Sequence, residues 1–340
     1  MLSALLHNNS TISSITGAFS ILGVVAYFLY HFHQLRHPNT EIPVSVNYHF
    51  SRKCNFECGF FFHTKKTSSI LSLDEAKQRM KLLKEAGMRK LNFAGAEPFL
   101  YHTFMQKLLR YGKEVLEIES ISIVSNGSKT TEKFLRENAA YVDIVAISCD
   151  SFNVETNIKI GRGKKGENVE QLKNIAAWCQ ELGIKFKINT VVRRLNWDED
   201  MIHLITKLRP FRWKVFQCLI VSGENDNEQR KRDTCSLVVS DRQWKAFCDR
   251  HRRLECFVPE NNEMMKGSYL ILDEGMCFLD KGDGEGKASK SILDVGVRKA
   301  MTQVRWERSA FAERGGFYDW TKASNGGYGS RTDKAKDVEW

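Results

Sequence analysis

Two cysteines four residues apart are the side chains in this sequence that are best suited to chemistry. Cys54 and Cys58 follow an apolar run at residues 44–51 that predicts a β-strand. Thiolates are soft, anionic donors, so a close pair indicates a metal or redox site. Two buried thiols can also be neighbours by chance, and the C-x3-C spacing alone leaves that alternative open.

The elements that must position this pair follow a repeating pattern. Apolar, β-branched runs alternate with amphipathic helical patterns, as in parallel βα units. The predicted strands are residues 44–51, 90–99, 120–125, 143–148, 185–192 and 212–221. The first predicted helix begins after the N-cap Ser72 and stops at Gly87. The sequence predicts an α/β fold, a partial (β/α)6 barrel with an open side.

Composition bounds the class of protein. With 340 residues, 42% hydrophobic and 27% charged, the chain is neither disordered nor fibrous. Its 51 Lys and Arg against 41 Asp and Glu leave a net charge of +10, which favours an anionic partner. Nucleic acid is not expected, because the basic residues lack the aromatic interleaving that single strands require. The nine cysteines are too sparse for a disulfide scaffold and favour a reducing compartment.

Several segments together resemble one enzyme family. NYHF, CNFECGF, KEAGMRKLNF, EPFL, SIVSNGS, AISCDSF and RWKVFQC occur in this order. They resemble the radical S-adenosylmethionine (radical SAM) enzymes and, most closely, their viperin family. The resemblance implies three thiolates in C-x3-C-x2-C that hold a [4Fe-4S] cluster, with S-adenosyl-L-methionine (SAM) on its fourth iron.

The chain departs from the family pattern at the third cysteine position, which is Phe61. A phenyl ring cannot ligate iron, and neither His63 nor Cys149 is an evident replacement. Three explanations stay open: a natural variant with lost or altered chemistry, a substitution in this copy, or a cluster completed by another ligand. A smaller departure is Ala96, where family members carry glycine; if the backbone there needs a positive φ, Ala costs on the order of 1 kcal/mol.

The resemblance also assigns residues to SAM. These are Gly95, Ala96, Glu97, Ser125, Asn126, Ser148 and Arg194. Ordinary explanations compete with this assignment, because SNG is a common turn and a strand serine is often a satisfied core hydroxyl.

For the substrate, the resemblance implies CTP or a related nucleoside triphosphate. A 5′-deoxyadenosyl radical would remove hydrogen from C4′ of the ribose, and water would leave from C3′. A triphosphate brings about four negative charges, which require converging cations. The candidates are Arg162, Lys187, Asn189, Arg212, Lys214, Lys290 and Arg314. Lys187 with Asn189, and Arg212 with Lys214, share a strand face by period two; surface salt bridging is the alternative. Tyr269 is either the catalytic group near the sugar or a core aromatic.

The two ends of the chain predict partners. Residues 15–32 are apolar, and no Lys, Arg, Asp or Glu precedes Arg36. This predicts a membrane anchor with the rest of the chain on the cytosolic side, with the endoplasmic reticulum as the expected membrane; a signal peptide or an interfacial helix is the alternative. The chain ends in acidic residues and Trp340. By resemblance, Trp340 would recruit the cytosolic iron–sulfur assembly machinery.

Two functional hypotheses follow. The first is a membrane-anchored radical SAM nucleotide dehydratase of antiviral defence, with an anchor at 1–40, the partial barrel at 41–255 and a C-terminal extension at 256–340 that closes over the substrate. The second is a catalytically silent relative that binds nucleotide, SAM or partner proteins at the membrane. Phe61 separates the two hypotheses.

Overall fold

The structure is a computed structural model that describes residues 42–60, 69–163, 168–220, 234–280 and 288–322. Within these ranges the strands form one sheet in the order β7-β6-β5-β4-β3-β2-β1-β8, and each neighbouring pair is parallel. The strands are β1 (Ser45–Tyr48), β2 (Lys90–Phe93), β3 (Ser120–Ser125), β4 (Ile144–Ser148), β5 (Lys185–Val192), β6 (Arg212–Gln217), β7 (Phe257–Glu260) and β8 (Leu270–Leu272).

Helices connect the strands, as parallel pairing requires. They are α1 (Leu73–Glu85), α2 (His102–Glu114), α3 (Glu132–Asn138), α4 (Val154–Ile160), α5 (Asn168–Glu181), α6 (Ile202–Leu208), α7 (Asp241–His251), α8 (Asn262–Lys266), α9 (Ile292–Val295), α10 (Val297–Met301) and α11 (Arg308–Glu313). Ser72 caps α1 through a reciprocal capping box with Glu75, and Gly87 follows that helix with φ 106°. The predicted N-cap and stop of this helix are confirmed.

The predicted α/β partial barrel is confirmed, and the sheet is larger than predicted. All six predicted strands are present. Two further strands, β7 and β8, form the two edges of the sheet and lie within the predicted C-terminal extension at 256–340. Two features concealed these strands. β8 has only three residues, and β7 contains Pro259, which is tolerated here because β7 is an edge strand.

Period-two alternation separates the two faces of the sheet. In β5, Phe186 and Ile188 are buried in the apolar core, whereas Lys187 and Asn189 line a cavity. Alternate strand residues point to opposite faces, so one strand supplies both a helix-packed core and a polar interior. The polar interior is the surface available for chemistry.

A C-terminal segment covers the amino-terminal edge of the sheet. Residues 314–322, here called the floor segment, contact residues that begin strands. The Ser120 hydroxyl, at the start of β3, donates to the Trp320 carbonyl at 2.9 Å, and Lys185 Nζ, at the start of β5, lies 2.7 Å from the Asp319 carboxylate. The floor segment therefore closes one end of the polar interior.

Within the ranges described above, no helix has both the length and the apolar character to cross a membrane. The expected anchor at 15–32, the domain boundary at 40, Phe61 and Trp340 lie outside the described residues.

Candidate active site

One cavity of about 640 Å³ brings together most of the predicted site residues. It extends from the loop after β1 to the floor segment and is lined by Gly316 and Tyr318 at that end. Its lining includes Cys54, Cys58, Gly95, Ala96, Ser125, Asn126, Ser148, Arg162, Lys187, Asn189, Lys214, Tyr269 and Arg314. Sulfur donors thus share a cavity with buried cations.

The cysteine loop, residues 51–60, is held against the end of α4. Glu57 N donates to the Gly161 carbonyl at 3.2 Å, and Cys58 Sγ lies 3.7 Å from the same oxygen. Gly161 has φ 88°, and a Cβ there would lie 2.2 Å from the Glu57 carbonyl oxygen. Only glycine allows this approach, so Gly161 sets the position of both cysteines.

A buried carboxylate organises two arginines behind the loop. Asp150 accepts from Arg162 Nε at 2.7 Å and lies 2.8 Å from Arg193 Nη2. Burial would raise the pKa of Asp150, but Arg162 and Arg193 outweigh it and hold that pKa below its usual range. The Arg193 guanidinium carbon lies 3.6 Å from the Phe60 ring centre, a cation–π contact that fixes the end of the cysteine loop.

The sulfur donors fit a [4Fe-4S] cluster only in part. Cys54 and Cys58 line the cavity, whereas Cys149 is buried, lies outside the lining and donates to the Ser151 carbonyl at 3.5 Å. Across the described ranges, no group of three or more His, Cys, Asp or Glu side chains could hold a metal. Position 61 offers no donor atom either, since it is phenylalanine. Cysteine therefore occupies two of the three positions of the C-x3-C-x2-C pattern.

Glu97, whose contact with SAM stays a prediction, forms hydrogen bonds within the protein. It is 1% exposed and does not line the cavity. Its carboxylate accepts from the Ser125 hydroxyl at 2.8 Å and from Asn126 N at 2.7 Å. Glu97 therefore holds the turn after β3 against the loop after β2, which places Ser125 and Asn126 at the cavity wall.

The glycine that needs left-handed backbone is Gly95, not position 96. Gly95 has φ 84°, and a Cβ there would lie 2.8 Å from His49 Cβ. Ala96 is not among the described non-glycine residues with positive φ. The condition for a cost of about 1 kcal/mol at Ala96 is therefore not met.

Basic residues converge at the other end of the cavity. Lys214 Nζ donates to the Tyr269 hydroxyl at 2.6 Å and contacts Glu260, and the Arg314 guanidinium lies 3.9 Å from the Tyr269 ring centre. Burial lowers the pKa of Lys187 to about 8, since removal from water disfavours the charged form. This end can bind an anion that keeps such lysines protonated.

Three further predicted residues lie outside the cavity lining. Arg194 is exposed beyond the end of β5, and its Nε donates to a backbone carbonyl at 3.1 Å. Lys290 is exposed. Arg212 Nη2 donates to the Gly315 carbonyl at 3.1 Å, and its guanidinium carbon lies 4.3 Å from the Tyr318 ring centre, so it supports the floor segment. Contact of Arg194 with SAM and of Lys290 with phosphate therefore stays a prediction.

Other residues of the cavity wall were missed. Among them are Asn47, His49, Lys90, Asn92 and Tyr318. Asn47 and His49, like Lys90 and Asn92, are polar residues at period two on an apolar strand. The same signal identified Lys187 with Asn189, and it could have identified these four. Tyr318 had no comparable signal.

Comparisons with known proteins identify the family of this chain. The model of the Radical SAM superfamily matches residues 48–228. The chain is 52% identical, over 84% of its length and 82% of the relative, to "S-adenosylmethionine-dependent nucleotide dehydratase RSAD2" of Siniperca chuatsi. It is 37% identical, over 88% of its length and 63% of the relative, to "S-adenosylmethionine-dependent nucleotide dehydratase" of Lacinutrix mariniflava.

Solved structures share the fold. Streptococcus suis SuiB bound to S-adenosylmethionine is similar with a TM-score of 0.58 and 16% identity, over 81% of this chain and 71% of that chain. The structure described as "Native anSMEcpe with bound AdoMet" has a TM-score of 0.58 and 14% identity, over 80% of this chain and 82% of that chain. At these identities the likeness concerns the fold alone.

Proposed function

Because the chain belongs to the radical SAM superfamily and, within it, to the S-adenosylmethionine-dependent nucleotide dehydratases, we propose that it removes water from a nucleoside triphosphate. CTP is the proposed substrate, and its 3′-deoxy-3′,4′-didehydro form is the proposed product. One observation carries the proposal: a single cavity has cysteine thiols at one end and buried cations at the other. Such a cavity can hold a cofactor and a triphosphate at the same time.

The cysteine end is suited to SAM. In this superfamily, SAM and a [4Fe-4S] cluster together supply the radical that removes hydrogen from the substrate. Cys54 and Cys58 would hold two irons of the cluster. Ser125 and Asn126, held in place by Glu97, offer polar groups to SAM on the same wall.

The cationic end is suited to the triphosphate. Lys187, Lys214 and Arg314 come from β5, β6 and the floor segment, so they approach one region from different elements. Charge-assisted hydrogen bonds from such groups to phosphate oxygens are stronger than neutral ones. The ribose would then lie between the triphosphate and SAM, which is the arrangement that hydrogen removal from a sugar requires.

Phe61 supports a second candidate, a relative that binds SAM and nucleotide without turnover. Its sequence carries no sulfur at the third ligand position, and the described residues offer no replacement. The two candidates share the cavity and differ only in cluster chemistry.

Anaerobic reconstitution with iron and sulfide, followed by incubation with SAM, CTP and dithionite, tests the proposal. We expect 5′-deoxyadenosine and a dehydrated nucleotide from the Phe61→Cys variant and little of either from the unmodified protein, and parallel reactions with UTP, GTP and ATP identify the preferred base. Production of 5′-deoxyadenosine without any nucleotide product from the four triphosphates would contradict the dehydratase. Triphosphate binding without either product supports the silent relative.

Location and assembly partners are part of the proposal. We propose that residues 15–32 anchor the chain to the endoplasmic reticulum on its cytosolic face and that Trp340 recruits the iron–sulfur assembly machinery, in antiviral defence. Both segments lie outside the described residues, so the support is the sequence alone. Deletion of residues 1–40 should move the protein from the membrane pellet to the supernatant, and a truncated chain that still sediments with membranes would refute the anchor.

A further inference from the structure

We propose that Glu260 is a positioning residue that holds Lys214, Tyr269 and Arg314 in place for the phosphate groups of the substrate. The proposal rests on the proposed function, because it assumes that an anion binds at this end of the cavity. No sequence pattern pointed to Glu260.

Glu260 lies behind the cavity wall rather than in it. It is 0% exposed and does not line the cavity, whereas Lys214, Tyr269 and Arg314 do. Its carboxylate contacts Lys214 Nζ, accepts from the Tyr269 hydroxyl at 2.5 Å and lies 3.6 Å from Arg314 Nη1. One carboxylate therefore touches three groups that face the substrate.

The same contacts span the open side of the barrel. Glu260 ends β7, Tyr269 immediately precedes β8, and these two strands are the edges of the sheet. Arg314 comes from the floor segment and also donates to the Ser268 carbonyl at 2.9 Å. Glu260 thus ties together two sheet edges and the floor segment without strand pairing.

Stability alone does not account for this cluster. A buried carboxylate, ammonium and guanidinium lose their hydration, and apolar side chains of similar volume often stabilise a protein as well or better. A cluster whose cations line a cavity is instead suited to anion binding. Glu260 offsets only one of the positive charges of Lys214 and Arg314, so a net positive charge remains for the phosphates.

Charge also connects Glu260 to the protonation of Lys214. The charged or titratable groups that face Lys214 are Glu260 from β7, Arg314 from the floor segment, Lys187 from β5 and Tyr269. Burial lowers the pKa of Lys214, and Arg314 and Lys187 lower it further, while Glu260 opposes them. Burial would raise the pKa of Glu260, but Lys214 and Arg314 outweigh burial and hold that pKa at about 2.

The test is the pH dependence of triphosphate binding in Glu260→Gln, which keeps the shape and removes the charge. Without Glu260, the group that opposes burial is gone, so the pKa of Lys214 should fall further and anion binding should be accompanied by more proton uptake. Calorimetry with tripolyphosphate and with CTP at about pH 6.5 and about pH 7.5 stays below the pKa of Lys187. Over that interval, affinity in Glu260→Gln should fall by up to about tenfold more than in the unmodified protein, with additional proton uptake of up to about one proton.

Two further variants sharpen the result. In Lys214→Met with Glu260→Gln, the additional pH dependence should disappear, since the titrating group is gone. Glu263→Gln is the matched control, because Glu263 is an exposed α8 carboxylate that pairs with Lys266 at 2.9 Å. It should bind as the unmodified protein does.

Identical affinity and pH dependence in Glu260→Gln and the unmodified protein would overturn the positioning role alone. Binding of neither probe by the unmodified protein would overturn the proposed function together with this inference. If Glu260→Gln does not fold, Glu260→Asp replaces it, since it keeps the charge and withdraws it by one methylene. The Asp variant should bind roughly tenfold more weakly with unchanged pH dependence, and unchanged affinity would overturn the proposal.

Discussion

At the scale of single residues, position 61 and Lys187 have the clearest chemical consequences. The cysteine loop is held by Gly161 and by the Arg193–Phe60 contact, so its geometry does not depend on a third cysteine. The missing donor is therefore a deficit of ligand chemistry rather than of fold.

Phe61→Cys should restore the third thiolate. With only Cys54 and Cys58, a second iron besides the one assigned to SAM has no protein ligand, so we expect low cluster occupancy and little 5′-deoxyadenosine from the unmodified protein. Iron and sulfide analysis after anaerobic reconstitution measures the gain. Phe62→Cys is the matched control, because it adds a thiol one residue out of the spacing and should not raise occupancy. Full occupancy in the unmodified protein would show that another ligand completes the cluster.

Lys187 should make triphosphate binding depend on pH. Its pKa is about 8, so it is protonated below that pH and neutral above it, and affinity should fall as pH rises through 8. Lys187→Met should bind about ten- to a hundredfold more weakly at neutral pH, a loss of ~1.5–3 kcal/mol, and should lack this fall. Calorimetry on either side of that pH measures both effects. Lys173→Met is the control, because Lys173 is partly exposed and does not line the cavity. A retained fall in Lys187→Met would assign the titration to another group.

At the scale of elements, the site depends on how α4 ends against the cysteine loop. Gly161 is the left-handed C-cap of α4 and lies directly on the Glu57 backbone. Gly183, after α5, has φ 65° and open space around it. The two glycines have the same backbone requirement and different surroundings.

Gly161→Ala should therefore destabilise the protein more than Gly183→Ala does. Both substitutions place alanine at positive φ, which costs on the order of 1 kcal/mol. Gly161→Ala should lose about 1–3 kcal/mol more in the free energy of unfolding, since its Cβ meets backbone. Denaturant titration measures the difference, and faster alkylation of Cys58 in Gly161→Ala alone would locate the change in the cysteine loop. Equal losses in the free energy of unfolding of the two variants would mean that the cysteine loop moves away from the added methyl group without a free-energy cost.

At the scale of the whole molecule, the floor segment joins the last described residues to the starts of the strands. Trp320 is 3% exposed, its carbonyl accepts from Ser120, and its indole N–H donates to the Gly316 carbonyl at 3.0 Å. Nearby, Tyr318 accepts from Lys90 Nζ at 2.7 Å and lines the cavity. The floor segment thus packs against the starts of the strands and also forms part of the cavity wall.

Trp320→Ala should weaken both the packing of the floor segment and the cavity wall that this segment forms. Removal of a buried indole should cost about 3–5 kcal/mol in the free energy of unfolding. Triphosphate affinity should fall as well, because Tyr318 would lose its support. Phe317→Ala is the control, since Phe317 is 37% exposed and its loss should cost about 1 kcal/mol. Reduced stability with unchanged triphosphate affinity would separate the floor segment from the site.

Local patterns in the sequence were sufficient for much of this fold and part of the site. Apolar runs and caps predicted six parallel strands and the boundaries of α1, because the hydrophobic period and the capping residues act over a few neighbours. Period two also placed Lys187 and Asn189 on the cavity side of β5. The cysteine pair and its neighbouring motifs identified the family before any geometry was known.

Contacts between distant segments decided the rest. Glu97 pairs with a turn 28 residues further along the chain, and no local pattern encodes that partner. Glu260 and Tyr318 become part of the site only because β7, β8 and the floor segment meet β6 and the strand starts. Arg194 lies beyond the end of β5 and outside the cavity lining, and its contact with SAM stays a prediction. The sequence determines which side chains are available and which face of an element they occupy, whereas long-range packing determines which of them converge on one cavity.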